Sequence, residues 1–75
     1  AGKFTVVCAN LIYDLLIEEQ RRILSYVSRQ GTLVLAGILK EQFAKVERAY
    51  ETAGLRLVRS RGLKEWRSGA FRFRD

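Results

Sequence analysis

Phe4-Thr5-Val6-Val7-Cys8-Ala9-Asn10-Leu11 is an apolar run that stops abruptly at an asparagine and passes directly into a helical pattern. Phe4 to Cys8 is short, continuous and rich in β-branched valine, the character of a parallel strand covered on both faces. Open α/β sheets bind ligands in the crevice beyond the carboxyl ends of their strands. A carboxamide at such a strand end makes Asn10 the first candidate for chemistry. Asparagine also caps helices well, so Asn10 or Asp14 could serve as the start of the following helix. Both readings of Asn10 stand at this point.

Outward from this run, Ile12, Leu15, Leu16, Ile23, Leu24 and Val27 recur at helical spacing. Glu18, Glu19, Arg21 and Arg22 fall between them, completing the stripe of an amphipathic helix. Gly31 ends the connection, and Thr32-Leu33-Val34-Leu35-Ala36 reads as a second buried strand with Gly37 allowing a tight exit. A second stripe, Phe43, Val46, Tyr50 and Ala53, predicts a helix over 41–53, with Gly54 where a helix-ending glycine belongs. Leu55-Arg56-Leu57-Val58-Arg59 and Ala70-Phe71-Arg72-Phe73-Arg74 alternate apolar and charged residues, as half-exposed antiparallel strands do. They are expected to pair as a hairpin through the Gly62 to Glu65 region. Two buried strands, each followed by a helix, demand parallel pairing with right-handed crossovers. The fold class is therefore α/β: half of a doubly wound domain, with the terminal hairpin as its antiparallel edge. No repeat, low-complexity tract or proline-rich linker divides the chain, so residues 1–75 read as one unit.

Composition limits the chemistry. A chain of 75 residues buries only about 60% of its unfolded surface, so its core is marginal. It opens Ala1-Gly2-Lys3 and enters an apolar strand at once, as a cut made inside a domain would. No run is long enough to span a bilayer and no signal-peptide pattern appears, so a soluble cytoplasmic product without membrane contact is expected. There is no histidine and one cysteine, Cys8, which reads as a small buried hydrophobe. An internal disulfide, a His/Cys zinc site and histidine-activated serine or cysteine nucleophiles are therefore excluded within these residues, and no metal is expected. No P-loop or Gly-rich dinucleotide turn is present.

The formal net charge is +6, and its distribution is uneven. Arg56, Arg59, Arg61, Lys64, Arg67, Arg72 and Arg74 face only Glu65 and Asp75 in the last part of the chain. Trp66, Phe71 and Phe73 interleave with them, a pattern that single-stranded nucleic acid can use for stacking. Strand alternation instead sends the aromatic rings to a core and the arginines to solvent. That reading is preferred; Trp66 is expected to be a core or hairpin anchor, and nucleic acid is a partner that is open but not favoured.

Several of these segments occur together, in order, in one family. The strand ending Val6-Val7-Cys8-Ala9-Asn10-Leu11, then Gly31-Thr32-Leu33-Val34-Leu35-Ala36-Gly37-Ile38-Leu39, the helix 41–53 closing on Gly54-Leu55, and the pair Glu65-Trp66 carry the resemblance. The chain resembles, over nearly all of its length, the carboxyl-terminal part of the bacterial lysine methyltransferases that modify protein eleven of the large ribosomal subunit. That resemblance implies the carboxyl-terminal half of a Rossmann-like methyltransferase sheet, S-adenosylmethionine as methyl donor in the parent enzyme, and lysine or terminal amino groups of a ribosomal protein as acceptors. It also implies that the donor loop lies outside these residues, so that the isolated chain would bind the donor weakly and be inactive.

By the same resemblance Asn10 positions the acceptor amine, with Ala9 and Leu11 near the donor methyl. Methyl transfer is an in-line displacement by a neutral amine, and a carboxamide oxygen accepting from the amine N–H leaves the lone pair free to aim. Related amino methyltransferases follow their Asn or Asp with two prolines and an aromatic residue; Asn10-Leu11-Ile12-Tyr13 has none of the prolines, which fits the ribosomal-protein group better. Thr5 stands where that family commonly has an acidic residue. A methyltransferase for RNA or small molecules, and a basic nucleic-acid-binding module, are the alternatives. In the family order a further strand pairs beside the strand ending at Asn10, so self-association through an exposed edge is expected of the chain alone.

Overall fold

The computed structural model describes residues 3–10 and 12–74. Strand β1 (Phe4–Ala9) is followed by two short helices, α1 (Tyr13–Glu18) and α2 (Gln20–Ser25). Strand β2 (Val27–Leu39) leads into α3 (Lys40–Thr52), and the chain ends in β3 (Leu55–Leu63) and β4 (Trp66–Phe73). The four strands form one sheet in the order β1-β2-β4-β3. β1 pairs parallel with β2, and β4 pairs antiparallel with both β2 and β3. The expected parallel pair and terminal hairpin are both present.

One helical layer covers one face of this sheet. Leu33 and Leu35 of β2, Leu55 of β3 and Phe71 of β4 are buried there against Leu16, Ile23, Phe43, Val46 and Tyr50. Their strand neighbours Thr32, Val34 and Ala36 are only half-buried, because none of the described residues lies over the opposite face. Two expectations are corrected by this arrangement. β1 is not a strand buried on both faces: it is the sheet edge, with Phe4 59% and Val6 60% exposed. Cys8 is not a buried hydrophobe either; it shares the uncovered face with Val6 and is exposed. The accessible surface, 5340 Å², exceeds the roughly 4,700 Å² that surface scaling gives for a folded monomer of this size.

Local chemistry explains the remaining departures. The single amphipathic helix expected from Ile12 to Val27 is broken at Glu19, and its outer members fall elsewhere: Ile12 is exposed before α1, while Val27 begins β2. Breaking a helix leaves terminal carbonyls without intrahelical partners. The Tyr50 hydroxyl donates to the Leu16 carbonyl at 2.6 Å, supplying one partner from α3. Gln20 reciprocates, its amide Nε2 donating to the Ala49 carbonyl at 2.7 Å. β2 starts at Val27 rather than after Gly31, because pairing with β1 begins at Phe4–Val27 and skips to Val6–Thr32. The α3 stripe buries Phe43, Val46 and Tyr50 but not Ala53, which caps the helix before Gly54 at φ 103°. Among the described residues no helix is long and apolar enough to cross a membrane.

Candidate functional site

Because β1 and β2 run parallel, their carboxyl ends emerge at the same edge of the sheet. The start of β4 joins them there, with Trp66 opposite Leu39, and the Lys64-Glu65 turn closes the hairpin. The Lys40 amide donates to the Glu65 carbonyl at 2.9 Å, fixing that turn to the start of α3.

Asn10 follows β1 immediately and is exposed. The structure removes its capping role: the cap residue of α1 is Ile12, with no side-chain cap hydrogen bond, and Asp14 lies inside the helix. Asn10 rests instead on Gly37, where an added Cβ would collide with the carboxamide Oδ1. Gly37 has φ +75° and lies in the bulge between Leu35 and Ile38 of β2. One glycine thus turns the strand and leaves room for the carboxamide. Among the described residues the Asn10 side chain makes no hydrogen bond within the protein, so its oxygen is available to an incoming N–H donor.

The neighbours separate in role. Ala9 is half-buried, pairs with Leu35 and packs on the core. Leu11 lies outside the described residues. Tyr13 turns toward α3, where Lys45 Nζ stands 5.9 Å from its ring centroid, and the hydrogen bond and charge of Asp14 raise its phenol above the ordinary value. Trp66 does anchor the end of the hairpin opposite Leu63, but its indole is 47% exposed and not in the core. It borders a hollow of about 240 Å³ with Gly37, Arg61, Leu63 and Ser68. The contact between Asn10 and Gly37 was not read from the sequence, although a glycine ending one strand beside an asparagine ending its neighbour was visible there.

Alanine at position 37 would carry a Cβ at positive φ and drive it into Asn10. We expect Gly37→Ala to cost about 1 kcal/mol or more and to shift the Asn10 side-chain NH₂ resonances. An unchanged melting temperature with unchanged resonances would contradict this seat for Asn10.

The strand order has a counterpart in a solved structure, and the sequence in a known family. Residues 1–74 match the family model described as Ribosomal protein L11 methyltransferase (PrmA). Ribosomal protein L11 methyltransferases from Rhizobium rhizogenes and Myxococcus xanthus are 35% and 38% identical over 91% and 87% of this chain. One from Alteromonas mediterranea is 49% identical over 60% of it. The chain spans only 15–22% of the length of these relatives. A crystal structure of the ribosomal protein L11 methylase from Lactobacillus delbrueckii subsp. bulgaricus superposes on the whole chain with a TM-score of 0.91, at 21% identity and covering 39% of that protein. The fold is therefore that of part of such an enzyme, and by its family match the chain belongs to the ribosomal protein L11 methyltransferase (PrmA) family.

Proposed function

We propose that residues 1–75 act as a single unit, the acceptor side of a protein N-methyltransferase catalytic domain whose substrates are lysine or terminal amino groups of a large-subunit ribosomal protein. The observation that carries this reading is the exposed Asn10 carboxamide at the carboxyl edge, free of any capping role and seated on Gly37. Its oxygen can accept from an amine N–H and hold the lone pair in one direction, which is the alignment an in-line displacement requires. The family membership supports S-adenosylmethionine as the source of the methyl group in the parent enzyme. The described residues do not supply a donor cradle by themselves: the hollow at the carboxyl edge is bordered by an indole and arginines beside Gly37, and the chain carries no Gly-rich loop. Donor recognition belongs to the rest of the domain, and the isolated chain is expected to bind the donor no more tightly than about 1 mM.

A chimera tests the reading. Residues 1–74 would replace the matching segment of the Rhizobium rhizogenes relative, which is 35% identical to the chain. Transfer of methyl groups to the ribosomal protein is expected to persist. A folded chimera that binds S-adenosylmethionine yet modifies no ribosomal protein would contradict it.

The free edge of β1 supports a further part of the proposal, self-association of the isolated chain. Unpaired strand edges bearing apolar side chains recruit other strands, and Phe4 and Val6 are both well exposed there. Sedimentation is expected to show dimers, and Val6→Lys to weaken them about tenfold, since an edge lysine opposes strand addition. A monomer at high concentration would contradict this.

A further inference from the structure

Among the described residues, the uncovered face of the sheet carries charge of one sign. β3 contains a bulge between Leu57 and Arg59, and that extra residue reverses the alternation along the strand. Before it, Leu55 and Leu57 face the helices and Arg56 faces away. After it, Arg59 pairs with Ala70 and Arg61 with Ser68, so both join Arg56 on the uncovered face. Without the bulge, strict alternation would point them at the helices. Arg59 and Arg61 rim a hollow of about 320 Å³ floored by Val34, Ser68 and Ala70.

Among the described residues no carboxylate answers these arginines. Asp14, Glu18, Glu19, Glu41, Glu47 and Glu51 all belong to the helical layer, and Glu65 is in the hairpin turn. The ion pair among the described residues, Arg22 with Glu19, is also in that layer. Arg56 lies directly opposite Arg72 in the β3–β4 ladder, a like-charge pair that is unfavourable unless an anion bridges it. Arg72 and Arg74 are already engaged, donating to the Gln30 and Glu51 carbonyls at 3.0 Å each. Arg67 lies 5.6 Å over the Phe43 ring on the helical side. Arg56, Arg59 and Arg61 remain as uncommitted forks, suited to phosphate oxygens. Phe71 is fully buried, so stacking of bases on that ring is not available, and the contact these three guanidinium groups offer is with the backbone.

We propose that Arg56, Arg59 and Arg61, gathered by the β3 bulge around this hollow, bind the phosphodiester backbone of RNA. The choice of RNA rests on the reading above that the substrate is a ribosomal protein; the geometry itself rests only on the sheet. Fluorescence anisotropy of the 75-residue chain with a labelled RNA of about 20 nucleotides tests it, with methyl transfer playing no part in the readout. Affinity is expected to fall steeply with salt. The triple variant Arg56→Gln, Arg59→Gln, Arg61→Gln should bind at least about tenfold more weakly at low salt and reduce the salt slope by about 2. Arg21→Gln, Arg22→Gln, Arg48→Gln removes the same charge from the helical layer and should cost less than about threefold. Lysine at positions 56, 59 and 61 keeps the charge but not the fork, and should bind between the parent and the glutamine triple. If the glutamine triple loses its folded circular dichroism spectrum, Arg59→Gln alone is read for a loss of about threefold. Equal losses from the two glutamine triples, equal affinity for polyglutamate, or no RNA binding at low salt would overturn the proposal. Any of these results leaves the methyltransferase reading untouched, and a failed chimera leaves this one.

Discussion

Tyr50→Ala is expected to leave the chain largely unfolded. Tyr50 is fully buried, its ring centroid lies 5.9 Å from that of Phe71, and its hydroxyl holds the Leu16 carbonyl at the end of α1. Emptying a buried aromatic site costs about 3–5 kcal/mol, most of the stability available to a domain this small. Tyr50→Phe separates packing from hydrogen bonding: it keeps the ring but strands the Leu16 carbonyl, for an expected loss of about 1–2 kcal/mol. Burial pushes the Tyr50 phenol up to about 12. Since the folded value lies above the unfolded one, near 10, its contribution is complete below pH 10 and is lost as the pH rises toward 12. Thermal melts by circular dichroism read all three effects; an alanine variant as stable as the parent would refute the place given to Tyr50.

How much of this the sequence disclosed depended on whether each signal was local. The α3 stripe was readable because Phe43, Val46 and Tyr50 face one partner surface, and Gly54 marks its end. The hairpin was readable from alternation, and the parallel pairing from two apolar runs each followed by a helix. Cys8 misled because an apolar run looks the same whether helices cover both faces of the strand or one. The break at Glu19 was hidden because a group that satisfies a carbonyl freed there, the Tyr50 hydroxyl on Leu16, lies far along the chain. The bulge at Val58 was hidden too: Leu57-Val58-Arg59 carries no glycine to announce it. Of the site, Asn10 was readable as a polar strand end, but its seat on Gly37 depends on strand register, which only the folded sheet supplies.

The structure also changes the weight on Asn10 itself. From its own residues it read more as a helix cap or turn residue than as a functional group; Ile12 holds the cap position, so the carboxamide has no capping duty. An exposed amide whose acceptor is unused among the described residues, beside a glycine where any side chain would collide with it, is suited to orienting a donor from outside. Removing it would leave the acceptor amine free to rotate, and misplacement by about 1 Å costs on the order of 100-fold in rate. Donor affinity should not change, since no donor contact is assigned to this side chain.

The most direct test is therefore Asn10→Ala in the chimera that carries residues 1–74, with single-turnover methyl transfer and S-adenosylmethionine affinity measured on the same preparation. A fall in transfer of about 100-fold at an affinity within about threefold of the parent chimera is the expected result. Normal transfer by the alanine variant would contradict the role of Asn10.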